Sequence, residues 1–506
     1  MPAAAPVNTA SWVGANYTPA YCVNQVQMWH DFRPDVIDKE LTAAHDSLGI
    51  NTLRVYLHNL VFEGERTEML KRIDVFIGIC AKHGIKPGFV FFDDCWNHAG
   101  IEFGPQDAAV DGRHNGRWAA CPQDRDRKDE NLPKLKAYVQ EIIRPHRDDP
   151  RVLWWEIYNE PNSSPFSTSL RKLGYAWAKE TNPSQPLLCC WDDSPETDIV
   201  DAHNYTTNWA GWDGQAERNP AKGTVFTEAG ARWLAPRDST GSPTEVIHWL
   251  RDRKAAGKSV PGVYLCWELM VGNSNCRWFW GTPDGAREPA IPWCGLLMPD
   301  GTPVSLAEAE AIRSYATGKS RALFSDDFQD VAAPAPKRPG WTKYGEDGSP
   351  AGYMSVPANT KFVTGSADWS DYLVEAAIML KGTSGNAGLV VRVNNPGPGP
   401  DQMKGYYIGF NIDTLYLGKM NNNWQELAKS DLSKLQCKVE PDVWNRLRIS
   451  AKGNHIQVWF NPLHDDAGLR LDYTDDKEPV LRGGVGVRAL GVQAWVDDVV
   501  VLPADN

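Results

Sequence analysis

The chain has 506 residues, long for one domain and comfortable for two, and its 42 % hydrophobic and 23 % charged residues fit a folded globular protein. A formal charge of −12 leaves no basic field for nucleic acid, and no stretch approaches the ~20 apolar residues of a membrane span. The 22 Trp residues are an excess that suits both core packing and stacking on sugar rings.

Up to about residue 317, short apolar runs alternate with amphipathic segments. The runs are 12–17, 52–58, 87–93, 152–158, 186–191, 199–205, 224–228 and 262–267. Most are apolar on both faces, as strands of a covered parallel sheet should be. Helical patterns lie between them at 34–47, 67–83, 132–146, 167–180, 243–256 and 306–316, with short or missing helices after the fifth and sixth runs. Eight strands with helices in that length predict a (β/α)8 TIM barrel over residues 1–320. An open doubly wound sheet is the rival, but no GxGxxG turn follows any run.

Gly318-Lys-Ser320 marks the junction to residues 321–506, where short alternating runs recur between Gly, Asn, Asp and Pro turns. They are 372–380, 387–393, 406–412, 414–417, 444–450, 456–460, 484–488 and 493–501, without a convincing helix. This half reads as an all-β, antiparallel β-sandwich. Residues 331–340 form a Pro-rich loop.

Ten cysteines occur without CxxC pairs or zinc-type Cys/His spacing. Cys80, Cys189, Cys190 and Cys266 lie in apolar runs and are expected as buried thiols. Cys22, Cys95, Cys121, Cys276 and Cys294 fall in loops, leaving room for one or two disulfides. The first residues, Met1-Pro-Ala-Ala-Ala-Pro6, show no basic segment followed by an apolar one, so no signal peptide is visible.

Barrel enzymes work at the C-terminal ends of their strands. There Glu160 follows the fourth run, Leu153-Trp-Trp-Glu-Ile-Tyr158, and Glu228 ends the seventh, Thr224-Val-Phe-Thr-Glu228. Two such carboxyl groups are what glycosidic cleavage takes, one protonating the leaving oxygen and one attacking or activating water. Trp155-Glu-Ile-Tyr-Asn-Glu-Pro161 resembles the Asn-Glu-Pro signature of the barrel clan of retaining glycoside hydrolases, which includes cellulases, mannanases, β-galactosidases and xylanases. The resemblance covers the first three-fifths of the chain. It implies Glu160 as acid/base and Glu228 as nucleophile, with Asn159 on the sugar 2-hydroxyl.

Further positions are similar to the same clan. Arg54, in Asn51-Thr-Leu-Arg-Val-Tyr56, resembles the Arg that keeps the nucleophile ionised. His203 and Tyr205, in Asp201-Ala-His-Asn-Tyr205, look like the pair beside the nucleophile, and Trp267 like the indole flooring the subsite. The substrate-binding candidates are Trp267 with Tyr56, His58, Asp94, Trp96, Trp118, Trp233, Glu268 and Trp278, on strand ends and long rim loops. Loop residues His98, His114, Arg117, Trp280 and Trp293 can serve subsites or packing. Glu156, on the same face as Glu160 but deeper, is expected to be structural. Glu268 is a rim carboxylate competing with Glu228. The pair Asp93-Asp94 lacks a third metal ligand, and the clan's chemistry needs neither metal nor cofactor.

The segments Phe324-Ser-Asp-Asp-Phe328, Gly484-Val-Gly-Val-Arg488 and Ala494-Trp-Val-Asp-Asp-Val499 are similar to concanavalin-like jelly rolls, including modules that bind carbohydrate. Arg392, Tyr407 and Trp424 are its candidate sugar contacts, and a packing role is the equal alternative. The expectation is a retaining β-glycoside hydrolase acting on β-linked oligo- or polysaccharide, secreted or periplasmic. A transglycosylase of the same mechanism and an inactive carbohydrate-binding barrel are the alternatives. An aldolase would need a Schiff-base Lys, and no strand end carries one. Sugar identity, endo or exo action and oligomeric state stay open.

Overall fold

The computed structural model describes residues 6–232, 241–286, 288–328, 341–344, 352–435, 438–461 and 468–504. Eight parallel strands come first: β1 (Val13–Asn16), β2 (Thr52–Tyr56), β3 (Lys86–Asp93), β4 (Trp154–Asn159), β5 (Leu187–Leu188), β6 (Ile199–Asn204), β7 (Gly223–Ala229) and β8 (Gly262–Leu265). Their order is β5-β4-β3-β2-β1-β8-β7-β6. First strand pairs with last, Val13 opposite Val263, which an open doubly wound sheet would not do. The ring has one seam. β5 is two residues long, and instead of a ladder to β6 the turn is stitched by Asp198, whose amide donates to the Leu187 carbonyl and whose carboxylate accepts from the Leu187 amide, both at 2.8 Å.

Around the ring lie α1 (Gln25–His30), α2 (Pro34–Ala43), α3 (Asn59–Lys82), α4 (Leu132–His146), α5 (Pro165–Lys179), α6 (Trp209–Ala216), α7 (Pro243–Ala255) and α8 (Leu306–Thr317). Local chemistry sets their ends. A capping box of Ser242 and Glu245 opens α7, and Gly318, at φ +71°, closes α8 in the left-handed conformation that suits glycine. α3 starts eight residues before the helix expected from periodicity, because His58 Nδ1 accepts from the Leu60 amide at 3.1 Å and caps an earlier turn. Among described residues, no helix is long and apolar enough to cross a membrane.

The remaining strands are β9 (Phe324–Asp326), β10 (Trp341–Tyr344), β11 (Met354–Val356), β12 (Thr360–Thr364), β13 (Tyr372–Leu380), β14 (Asn386–Asn394), β15 (Lys404–Phe410), β16 (Thr414–Asn421), β17 (Trp424–Asp431), β18 (Trp444–Lys452), β19 (His455–Phe460), β20 (Leu469–Thr474), β21 (Gly484–Leu490) and β22 (Ala494–Pro503). They form two seven-stranded sheets, β10-β12-β21-β14-β15-β16-β17 and β11-β22-β13-β18-β19-β20 with β9 beside β22. Ile378, Ile449 and Val458 from one sheet and Leu389, Ile408 and Leu417 from the other close one apolar core.

Barrel and sandwich meet through buried polar contacts. Glu375 of β13 accepts from Arg448 (2.7 Å), Arg446 (3.1 Å) and the Leu306 amide at the start of α8 (2.8 Å). Arg446 also donates to Ser305, the α8 N-cap, at 2.8 Å. Leu306 and Ala307 pack against Val500 and Leu502. The nine described cysteines are all free thiols, buried except Cys95. No disulfide joins the loop cysteines Cys22, Cys95, Cys121, Cys276 and Cys294. The Pro-rich segment at 331–340 lies outside the described residues.

Candidate active site

β4 delivers Glu160 and β7 delivers Glu228 to the same end of the ring. Glu160 sits just beyond β4 with φ +42°, a strained backbone for a side-chain-bearing residue. Trp96, Trp191 and Cys266, beyond β3, β5 and β8, share this left-handed geometry at φ +67°, +59° and +56°. The cavity that Glu160, Trp96 and Trp191 border has a volume of about 830 Å³. Its walls include Cys95, Trp96, His114, Trp118, Asn159, Glu160, Trp191, His203, Tyr205, Glu228, Trp267 and Trp280.

Glu228 is held from four directions. Arg54 donates to its Oε1 at 3.0 Å and Tyr56 at 3.4 Å, while Tyr205 donates to Oε2 at 2.5 Å and His203 Nδ1 stands 3.5 Å away. Arg54 itself is fully buried and forked onto Glu156 at 2.6 and 2.8 Å, with further bonds to Asn159 (2.7 Å) and Asn16 (3.1 Å). Burial pushes the Glu156 carboxyl up to about 7, against the pull of the Arg54 guanidinium. Glu156 therefore anchors the arginine in the barrel interior and takes no place on the cavity wall.

Glu160 is tied at both oxygens. His203 Nδ1 lies 2.7 Å from Oε1, and the Cys95 thiol donates to Oε2 at 3.3 Å. Burial would raise this carboxyl, but the His203 bond and charge outweigh it and hold it below the usual range. His203 is the counterpart: burial opposes its charge, yet Glu228, Glu160 and Asp201 push it up to about 9. A proton therefore rests on the imidazole, on the bond to Glu160. Asn159 lines the cavity with its amide fixed between Arg54 and Asp93, the latter at 2.9 Å. Trp267 meets Tyr56 and Trp118 edge to face, at 5.3 and 5.0 Å between rings.

Other candidates point elsewhere. His58 is buried, donating from Nε2 to the Ala120 carbonyl at 3.1 Å, and burial lowers it to about 3. Asp94 is turned into the loop, paired with Arg127 and accepting from Tyr158 (2.9 Å) and the Asn162 amide (2.8 Å). Glu268 is buried off the cavity wall, near Ser274 and Thr18. Trp278 packs under the Arg277 guanidinium at 3.9 Å. Trp233 lies outside the described residues. In the sandwich, Arg392 is buried against the Gly453 and Val480 carbonyls. Tyr407 instead lies beneath Arg488 in a cluster separate from the core, and the exposed Trp424 meets it edge to face at 5.9 Å.

Sequence reasoning passed over Asn16, which orients Arg54, and Trp191, whose edge faces the His203 ring at 5.7 Å. Trp191 carried a signal: it is the aromatic residue that ends the fifth apolar run. It also passed over Asn204, Thr206, Asn208 and Gln215, polar wall residues after β6 and on α6.

Residues 336–500 match the model of the 3-keto-alpha-glucoside-1,2-lyase-like domain. No curated protein sequence matches the chain significantly. Similar solved structures include GH5_18 from Streptomyces cattleya in complex with GlcNAc, at 16% identity over 62% of this chain and 82% of that one, with a TM-score of 0.41. The hyperthermostable endo-1,4-beta-D-mannanase from Thermotoga petrophila RKU-1 is 17% identical over 61% of this chain and 99% of its own, at a TM-score of 0.38. For the sandwich, the carbohydrate-binding module CBM66 from Bacillus subtilis is 18% identical over 32% of this chain and 95% of its own, at a TM-score of 0.27.

Proposed function

We propose that the chain is a retaining β-glycoside hydrolase acting on β-linked oligo- or polysaccharide, with residues 1–320 as catalytic domain and 321–506 as its sandwich partner. One observation carries this reading. A single atom, His203 Nδ1, lies 2.7 Å from Glu160 and 3.5 Å from Glu228, so the two carboxyl groups are close neighbours on one cavity wall. Closeness of that kind supports retention, since retaining enzymes hold their carboxyl groups about 5–5.5 Å apart and the second attacks carbon directly with no water between.

Glu228, paired with Arg54 and aimed by Tyr205, attacks the anomeric carbon as the glycosidic C–O bond breaks. Glu160 gives its proton to the departing oxygen, and the proton on His203 Nδ1 can reach Glu160 along their shared hydrogen bond. Water then attacks the glycosyl ester, Glu160 takes a proton from it, and the bond to Glu228 breaks. Trp96, Trp191 and Trp280 are 41%, 46% and 49% exposed at the cavity mouth, where indole faces can stack on sugar rings.

A panel of aryl β-glycosides and plant or bacterial polysaccharides tests the reading, with the first-formed anomer followed by NMR. Glu228→Ala is expected to abolish turnover, and azide to restore some of it as the α-glycosyl azide. Inverted product, or azide rescue in Glu268→Ala but not in Glu228→Ala, would overturn it.

A further inference from the structure

We propose that Asp93 is a positioning residue for sugar recognition. It turns one N–H of Asn159 into the cavity, so that the sugar held between Glu160 and Glu228 is recognised through an acceptor oxygen at its 2-position. This rests on the glycosidase reading above and names a substrate group which that reading leaves open.

Asp93 ends β3, is buried and does not line the cavity itself. Three groups donate to its side chain. Asn159 Nδ2 and the Cys95 backbone amide reach Oδ1, both at 2.9 Å, and the Trp118 indole reaches Oδ2 at 2.7 Å. Three donors on one side chain suit an ionised carboxylate, which only accepts. Burial pushes this carboxyl up to about 7 against the pull of its donors.

The other end of the Asn159 amide is fixed too. Its Oδ1 accepts from Arg54 Nη2 at 2.7 Å. A guanidinium can only donate and a carboxylate only accept. The reversed amide would set N–H groups against Arg54 and oxygen against Asp93, so the two charges together select one orientation. One Nδ2 hydrogen goes to Asp93. The other is left for Cys95 Sγ, 3.5 Å from Nδ2, a weak acceptor that a sugar oxygen can displace.

Asn159 lies on the cavity wall, directly before Glu160, and shares Arg54 with Glu228. A sugar whose anomeric carbon sits between these carboxyl groups brings two oxygens near such a donor, the ring oxygen and the 2-hydroxyl. The ring oxygen turns electron-poor in an oxocarbenium-like transition state, while a hydrogen bond to the 2-hydroxyl strengthens there. The donor therefore recognises the 2-hydroxyl. Without Asp93 the amide is held at one end only, and its free N–H loses its aim. The same carboxylate also pins Trp118, which meets Trp267 edge to face at 5.0 Å, so the indole arm needs a control of its own.

An aryl β-glycoside that the full-length chain cleaves is compared with its 2-deoxy counterpart, as the ratio of their kcat/KM values above the pH of about 7 at which Asp93 titrates. Intrinsic reactivity differs between the two glycosides but cancels between variants. In Asp93→Ala the preference for the 2-hydroxyl compound is expected to fall at least about tenfold. Asp93→Ser, too short to hold Asn159 and Trp118, should fall in the same direction and serves if the alanine variant does not fold. Trp118→Phe breaks only the indole arm, and should slow both glycosides alike and keep the preference. In an Asn159→Ala background, Asp93→Ala should add little to the loss of preference. A preference unchanged in the folded Asp93 variants, one reduced equally by Trp118→Phe, or a further tenfold fall in the Asn159→Ala background would overturn the proposal. A chain that cleaves no glycoside loses the glycosidase reading and this role with it, whereas turnover with an unmoved preference removes only the role of Asp93.

Discussion

In the barrel, Arg54 is buried at the centre of a web that includes Glu156, Glu228 and Asn159, and the web opens on the cavity. In the sandwich, Arg446 and Arg448 are buried around Glu375, and that cluster opens on helix α8 of the barrel. The chemistry of the two clusters is alike, an arginine–carboxylate pair removed from water. Their surroundings differ. One presents a carboxylate to a space a substrate can enter, and the other closes a seam between two folded bodies. Buried charge alone therefore does not mark a catalytic centre. The deciding feature is whether a charged oxygen also reaches an open wall.

The sharpest way to break this comparison is Arg54→Ala. Removing it leaves two carboxylates without their shared cation, expected to cost about 3–5 kcal/mol of stability and about 10²–10³-fold or more in kcat. Urea denaturation and single-turnover kinetics measure the two separately. Arg54→Lys should recover part of the stability and little of the rate, since an ammonium cannot fork onto Glu156. Intact kcat in the alanine variant would put the web in a purely structural role.

Glu375→Ala strikes the other cluster. Arg446 keeps Ser305 and Asp498, and Arg448 keeps the Pro303 carbonyl at 2.7 Å, so a smaller loss of about 2–3 kcal/mol is expected. Turnover per folded molecule of a small aryl glycoside should stay unchanged. A large fall in kcat with normal stability would mean that the sandwich helps set the active-site geometry.

Glu268→Gln separates a buried carboxyl that serves neither cluster. Burial raises this group from 4.5 to about 8. The protonated form is thus the one the fold accommodates. Its contribution is fully present below pH 4.5 and is lost as pH rises through about 8. The glutamine variant should match the parent in thermal unfolding near pH 4.5 and exceed it above pH 8, by on the order of 1–3 kcal/mol. Equal melting at both ends would remove the argument.

The barrel strands were legible because burial on both faces writes continuous apolar runs, and helix α4 was legible to the residue from its periodicity. β17 was not: Trp424-Gln-Glu-Leu-Ala-Lys-Ser-Asp431 is a largely exposed edge strand whose composition reads as turn. Glu160 and Glu228 could be placed from strand ends alone. The fates of His58 and Asp94 could not, since both stand at strand ends as the wall residues do. The Ala120 carbonyl beside His58 and the Arg127 guanidinium beside Asp94, distant in sequence, decide that they turn inward. Trp191 reached the cavity through a positive φ that no periodicity encodes.

The two-residue β5, tied to β6 by one aspartate in place of a ladder, gives the barrel wall uneven resistance to breathing. Opening there costs few backbone bonds, whereas opening at β2 breaks ladders to both β1 and β3. Amide hydrogens of Leu187 and Leu188 should therefore exchange with deuterium well before those of Val55 and Tyr56. Asp198→Asn should widen that gap and leave the rest of the exchange map in place. Trp191 follows this yielding strand, so the wall beside Glu160 is the one that can give way without unsettling Arg54.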